Sequence, residues 1–416
     1  MNSLIDALAD LIAERLVMAA KETGLETPVS AAPAGVVPIA PGIRDSARAI
    51  AKELVRQTLR AGFEEEHLSV EAKPMGGGNT ADLVGHVGLN LSFVVKIDEN
   101  IKLAEEARAI REIRTSPRLP AQFRERFPRI FAIKDDAPPY AYLMEIFSSE
   151  RGYRGLDEIL FSANPGENHG QDVIRLMYAT LDALFQGYHS SVDTRLVPNL
   201  YTDYVGRIES RLDEASTIDT AFASMPIEIN GADLLPWKEY LDSIQGRKLA
   251  LQSLAPPFVT VVHGDPNPGN VRVNDSGGTV EIKFIDVKEW GRGDYLFDVA
   301  KVAHYLAATG LVEKNPAGPP DVKCTIAELV IEIQYALDPP LWVNKALDVT
   351  VGRAAKFAKM HGDSEFWELR YQLGMASNLL GLPLGRLRNG DRGSALVLYA
   401  EGLKWLDRFY KGFARV

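Results

Sequence analysis

One stretch constrains this chain more than any other: residues 261–300, VVHGDPNPGNVRVNDSGGTVEIKFIDVKEWGRGDYLFDVA. The apolar run Phe258–Val262 predicts a short buried strand that leads into His263, Gly264 and Asp265. A turn rich in Pro and Asn then ends at Asn270. Two β-type runs follow, Val271–Val273 and Val280–Ile285, separated by the hairpin-like turn from Asn274 to Gly278. The second run delivers Asp286 at its end. Three carboxylate or amide groups, Asp265, Asn270 and Asp286, thus stand on loops that β structure can draw together.

Phosphoryl transfer from a nucleotide is the chemistry that needs such a set. The transferred group is highly charged, so a divalent metal must be held by hard oxygen ligands, and Asn270 with Asp286 supplies two. A separate carboxylate must sit beside the attacking hydroxyl to orient it and accept its proton, and Asp265 is the candidate. The step from Asp265 to Asn270 equals the step in the catalytic loop H-R-D-x-x-x-x-N, with Gly264 in place of the Arg. The tripeptide alone is a weak signal, because the chain carries a second copy, His361–Gly362–Asp363. That copy has Glu368 where the Asn would stand and no strand ending in Ile-Asp behind it, and it reads as a helix–helix turn.

His263–Asn270, Asp286, and then Gly293–Asp294 with Asp298 resemble the aminoglycoside phosphotransferase and choline kinase-like family. Its pattern is H-G-D-x-x-x-x-N, then I-D, then G-D-x-x-x-D-hydrophobic-A. The resemblance covers about residues 65–310 and implies an α+β, two-lobed protein-kinase-like fold, with a small mainly β lobe and a large mainly helical one. It also implies that His263 supports the loop, Asp265 is the base, and Asn270 and Asp286 are the magnesium ligands. Asp294 and Asp298 would brace the loop and the helix after it. One departure is Val287, which follows Asp286 where relatives often carry an aromatic residue.

At 416 residues the chain exceeds what one hydrophobic core usually serves, so subdomains are expected. The net charge of −10 and the lack of a basic stripe argue against a general nucleic-acid binder. Cys324 is the sole cysteine, which excludes an internal disulfide and fits a reducing cytoplasm. Asp6, Asp10 and Glu14 interrupt the apolar residues of the N-terminus, so it does not read as a signal peptide, and no run approaches a membrane span.

In chain order, residues 1–64 read as a helical extension carrying a Pro/Ala-rich strap at Thr27–Gly42. This extension is either a helix packed on the small lobe or a lid or homodimerisation element. The resemblance makes residues 65–147 the nucleotide-binding lobe. Within it, Gly76–Gly77–Gly78–Asn79 make a turn whose N–H groups can approach phosphates. The strand Phe93–Lys96 follows, and the resemblance makes Lys96 the partner of the α and β phosphates. The next helix, about Ile101–Ile113, offers Glu105 and Glu106 to hold that lysine; Glu106 fits the family pattern better, and helical phase leaves both open. Tyr140–Phe147 reads as a strand and hinge, and the resemblance places adenine against the backbone of Glu145, Ile146 and Phe147.

Residues 148–416 read as a catalytic, acceptor-binding lobe with helices at Asp172–Tyr188, Tyr201–Ala215, Leu235–Leu254, Val299–Ala308, Ile326–Leu337, Pro340–Met360, Ser364–Leu380 and Ser394–Phe413. His189, just past the first of these, reads as a packed, hydrogen-bonded residue. The resemblance thus implies an ATP- and Mg2+-dependent kinase of a small-molecule hydroxyl, with GTP as the other donor. It implies an acceptor that is an aminoglycoside, sugar, amino-alcohol or related metabolite or antibiotic. Asp157, Glu158, Asp213, Glu214 and Asp219 fit a cationic acceptor or simply a solvated acidic surface. The competing readings are a nucleotide-binding regulatory module and, less well matched, a protein kinase, since no D-F-G or A-P-E follows.

Overall fold

A computed structural model describes residues 69–75, 84–90, 93–138, 140–288, 291–314, 318 and 320–416. The Gly76–Asn79 turn and the N-terminal extension lie outside the described residues. The chain divides into two compact units, one ending at Phe147 and the other running from Ser148 to Val416. Residues 116–126 join the second unit, although they fall inside the stretch 65–147 in sequence. Phe123 explains this: its ring fills the space where a side chain on Gly187 would stand, 2.3 Å from the position of a Cβ. The Arg126 carbonyl also accepts the Phe284 N–H at 2.8 Å.

In the first unit, the strands Ser69–Met75 and Val84–Asn90 pair antiparallel and flank residues 76–83. A second, antiparallel sheet places Tyr140–Glu145 between Phe93–Asp98 and Ile130–Lys134. The helix Lys102–Thr115 buries Ala104, Ala107, Ile110 and Ile113, spaced three or four apart so that one face is apolar. Ala107 packs with Tyr142 and Met144 of the central strand.

The second unit is mainly helical. Leu373, Ala376 and Leu380 of the helix Trp367–Leu380 share a core with Leu396, Tyr399, Ala400 and Leu403 of the helix Arg392–Phe413. The Pro383–Arg388 helix between them was not legible from periodicity. The segment Leu235–Leu254 is two helices, Trp237–Gly246 and Lys248–Ser253.

One expected helix is corrected. Ile326–Leu337 belongs to an antiparallel hairpin, Val322–Ala327 with Val330–Tyr335. Glu328 and Leu329 take φ of 49° and 68°, a left-handed pair that turns the chain in two residues. Ile331 and Ile333 alternate into the core, and their strand runs parallel to Ile227–Ile229. The apolar residues satisfied either period locally, and the partner strand, remote in sequence, decided for β. Among the described residues no helix is long and apolar enough to cross a membrane.

Candidate active site

The stretch that organises the sequence folds as two interlocked β pairings. Thr260–Val262 pairs antiparallel with Gly291–Gly293, which closes residues 263–290 into one loop system. Within it Val271–Asn274 pairs with Glu281–Phe284, and the outer strand Tyr153–Gly155 completes the sheet. The Ile285 N–H donates to the Asn270 carbonyl at 3.0 Å, so the residue before Asp286 is tied to Asn270. Two residues far apart in this segment are thereby held beside each other.

Asp265 sits 8% exposed at the head of the loop. Its backbone carbonyl accepts the Asn270 side-chain amide at 2.9 Å. That bond commits the Asn270 side-chain nitrogen and leaves its side-chain oxygen as the atom that could accept or ligate. Asn267 caps the short helix Pro268–Asn270 through the Gly269 N–H, and donates from its own amide to Asp265 Oδ1 at 3.0 Å.

Gly264 accounts for the departure from the H-R-D loop. Its φ is +85°, and a Cβ there would lie 1.5 Å from the Lys288 carbonyl oxygen. Arginine would meet both the strained backbone and that carbonyl, so glycine is required. Lys288 in turn donates its N–H to the His263 carbonyl at 3.0 Å, which ties the segment after Asp286 to the loop bearing Asp265. Asp286 also adopts a left-handed backbone, φ +58°, a conformation that Asp and Asn tolerate better than most residues.

Buried carboxylates brace this loop from behind. Asp298, fully buried, accepts the His263 N–H at 2.6 Å, the Gly264 N–H at 2.8 Å and the Tyr188 hydroxyl at 3.0 Å. Asp294 caps the helix Tyr295–His304 through the Leu296 N–H, and its second oxygen accepts from Tyr204 and from Arg370 Nε. His263 accepts the Asp265 N–H on Nδ1 at 3.2 Å, which puts its proton on Nε2. Burial pushes the imidazole down to about 4, so it is neutral near pH 7.

Two lysines that the sequence reading did not single out meet at Asp265. Lys288 Nζ donates to Oδ2 at 2.7 Å, and Lys301 Nζ lies 3.4 Å from Oδ1. Burial alone would raise the Asp265 carboxyl, but Lys301 and Lys288 outweigh it and hold the group well below the usual carboxylate range. The signal for Lys301 was legible in principle: it is a lysine within the apolar run of the helix Tyr295–His304, one turn after Asp298.

In the first unit, Lys96 Nζ contacts Glu106 Oε1 at 2.7 Å, and the Tyr142 hydroxyl donates to the same oxygen at 2.7 Å. Glu105 is exposed. Glu145 ends the central strand; its backbone N–H donates to the Arg129 carbonyl, and its carboxylate accepts the Arg129 N–H. Ile146 is half-buried and Phe147 buried.

The second His-Gly-Asp copy has a structural assignment. Asp363 accepts from the Tyr295 hydroxyl at 3.0 Å and from Arg370 Nη2. His361 pairs with His189 at 2.9 Å, so His189 is hydrogen-bonded as expected, while its neighbour Tyr188 reaches the loop brace. The acidic residues considered for a cationic acceptor all have other partners. Asp157 pairs with Lys314, Asp213 with Lys238, Glu214 with Arg388 and Asp219 with Arg392. Glu158 accepts the Gly155 N–H.

No group of three or more His, Cys, Asp or Glu side chains suited to a metal ion occurs among the described residues. A metal at Asn270 and Asp286 would therefore complete its shell with phosphate and water, which suits magnesium.

No protein-family model matches the chain, and no curated protein matches it. Solved structures similar to it include an ethanolamine kinase from Plasmodium vivax, at 10% identity and TM-score 0.45, covering 86% of this chain and 88% of that one. A glucosamine kinase in complex with glucosamine, ADP and inorganic phosphate gives 12% identity and TM-score 0.44, with 89% and 87% covered. An aminoglycoside phosphotransferase in ternary complex with ADP and hygromycin B gives 12% identity and TM-score 0.40, with 82% and 94% covered. At such scores and identities, the functional reading stands on this chain's own residues.

Proposed function

We propose that the chain is an ATP- and magnesium-dependent phosphotransferase acting on a hydroxyl of a small molecule, with Asp265 as the residue that orients the acceptor. The observation that carries this reading is the Asn270 amide closed onto the Asp265 carbonyl at 2.9 Å. That bond makes the base and one metal ligand a single rigid unit, and the Ile285–Asn270 hydrogen bond sets Asp286 beside it. The Lys96–Glu106 pair supports the reading, because a lysine held by a helix glutamate is what α and β phosphates require.

In the proposed step the acceptor oxygen bonds to the γ-phosphorus as the bond to the β–γ bridging oxygen breaks. The nucleoside diphosphate leaves, and the hydroxyl proton passes to Asp265 and then to solvent. Magnesium, when bound, would neutralise charge across the β and γ phosphates. Asn270 and Asp286 would hold it, and Lys96 would steady the phosphates. Asp265, held strongly ionised by two lysines, acts chiefly by orienting the hydroxyl, which suits a loose transition state in which little proton transfer precedes bond breaking.

The test is nucleotide consumption against a panel of hydroxyl-bearing small molecules, with and without magnesium. Phosphoester formation that requires both is expected. In Asp286→Asn, which tolerates the left-handed backbone, the magnesium-dependent part of nucleotide binding should weaken by about 10–100-fold, read by calorimetry. Nucleotide binding that ignores magnesium in the wild type would remove Asp286 and Asn270 from the metal.

A further inference from the structure

Each carboxylate oxygen of Asp265 already has a partner. Oδ1 accepts the Asn267 amide at 3.0 Å and lies 3.4 Å from Lys301 Nζ. Oδ2 accepts from Lys288 Nζ at 2.7 Å. The two sides differ in how firmly they are held. The Lys301 side chain is 5% exposed, and Asn267 is tied a second time, through its own oxygen, to the Gly269 N–H at 2.9 Å. The Lys288 side chain, by contrast, is 60% exposed. An acceptor hydroxyl must come within about 3 Å of a carboxylate oxygen to be oriented by it. Fixed groups close the Oδ1 side, so the hydroxyl reaches Oδ2, where the Lys288 ammonium stands.

The backbone of Lys288 is wedged between the two halves of the site. Its N–H donates to the His263 carbonyl at 3.0 Å, its carbonyl faces Gly264, and Asp286 stands two residues before it. From that fixed base the ammonium moves on a flexible four-carbon stem. An acceptor oxygen oriented by Oδ2 has the phosphorus it attacks about 3 Å beyond it. The oxygens of the transferred group therefore come within a side-chain rotation of an ammonium that lies 2.7 Å from Oδ2. Exchanging the carboxylate for a phosphoryl oxygen keeps the lysine paired with an anion and hands Oδ2 to the hydroxyl. Charge gathers on the phosphoryl oxygens in the transition state, so the new contact is strongest there.

We infer that Lys288 is a further catalytic residue, which covers Asp265 until the substrates bind and then turns to the terminal phosphoryl group as the acceptor hydroxyl takes its place on Oδ2. This rests on the phosphotransferase reading and adds a second role at the same site. Lys301 stays behind as the buried counter-charge of Asp265, while Lys288 follows the transferred group. The lysine keeps its proton throughout and contributes N–H donors and charge; the acceptor proton still passes to Asp265.

The experiment uses the full chain, with Lys288→Met and Lys288→Arg, and compares ADP with a non-hydrolysable ATP analogue by calorimetry in magnesium. ADP lacks the terminal phosphate, so its binding should be unchanged in both variants and reports that each is folded. The Met variant should lose about tenfold of the preference for the triphosphate over ADP, the effect of one charge-assisted hydrogen bond, and the Arg variant should keep most of it. Steady-state transfer from ATP to the best acceptor of the panel gives the second readout. Lys288→Met should lower kcat by about 10²–10³-fold without raising KM for the acceptor, and Lys288→Arg should recover part of kcat. A lysine that merely props Asp265 would do the reverse, raising acceptor KM and leaving the triphosphate preference as in the wild type, and that result overturns the inference. Transfer unaffected by Lys288→Met overturns it too and leaves the phosphotransferase reading intact. Loss of the triphosphate preference in Lys288→Met, in a chain that phosphorylates no acceptor, sinks that reading and leaves the contact of Lys288 with the terminal phosphate standing.

Discussion

The chain contains the tripeptide His-Gly-Asp twice, and the two copies show how little a short motif determines by itself. In both, the glycine is left-handed, with φ of +85° at Gly264 and +74° at Gly362. In both, the aspartate is buried, Asp265 at 8% exposure and Asp363 at 5%. Their neighbours differ. Asp265 heads a loop closed by Asn270, and lysines 288 and 301 hold it strongly ionised. Asp363 faces the fully buried Arg370, which also grips Asp294. Burial outweighs that arginine and moves the Asp363 carboxyl upward, opposite to Asp265. The first copy presents a charged oxygen to a loop, and the second fixes an arginine that fixes a helix cap.

The largest expected effect separates the two aspartates by chemistry. Asp265→Asn should lower phosphotransfer by about 10²–10⁴-fold, the usual contribution of a positioned general base, and leave nucleotide–magnesium binding nearly unchanged. The pH dependence sharpens this. A folded carboxylate held below its unfolded value gives stability that is present above the unfolded pKa and lost as pH falls through the folded one. Asp265 therefore stays ionised throughout the working range, and the acid side of the pH–rate profile should carry no limb that vanishes in Asp265→Asn. Finding such a limb would mean that the lysines do not act on Asp265 as described.

Asp363→Ala should act on the fold instead. It leaves Arg370 buried with Asp294 as its remaining carboxylate, at a cost of about 3 kcal/mol, the lower end for breaking a buried pair. Denaturant midpoints would read that loss, and turnover normalised to the folded fraction should stay near wild type. A turnover loss per folded molecule as large as that of Asp265→Asn would erase the distinction between the copies.

Much of this contrast was legible in the sequence, and the reasons are local. The strand before His263, the Asn270 spacing and the run ending at Ile285 each depend on a few adjacent residues, and the structure has the strands Thr260–Val262, Val271–Asn274 and Glu281–Phe284 there. Helical phase left Glu105 and Glu106 open, and packing against Tyr142 selects Glu106 for the contact with Lys96. The role of Asp363 was not legible, because its partner Arg370 gains meaning only when Asp294, remote in sequence, folds beside it. The hairpin at Val322–Tyr335 was missed for the same reason, since its parallel neighbour is Ile227–Ile229. Lys288 and Lys301 were passed over because a lone lysine carries no motif. Only the folded loop gathers both at Asp265.

The two glycines give the finest form of the comparison. Gly264→Ala would drive a Cβ to 1.5 Å from the Lys288 carbonyl, so the loop bearing Asp265 and the segment carrying Asp286 must move apart. A displacement of about 1 Å at reacting groups costs about 10²-fold in rate, and a loss of that order is expected in kcat, with Lys288 no longer registered on Asp265. At Gly362 an added Cβ meets nothing within 4 Å, and the left-handed φ of +74° is the sole obstacle. Alanine there should cost about 1 kcal/mol of stability, the ordinary penalty for leaving the glycine-favoured region. Gly362→Asn should recover part of that loss, because Asn tolerates the left-handed region. Steady-state kinetics of both variants should match wild type, while thermal midpoints follow the order Gly, Asn, Ala. If Gly362→Ala impaired turnover as Gly264→Ala is expected to, then the second turn would be coupled to the chemistry through Arg370 and Asp294, and scaffold and site could no longer be assigned to separate copies.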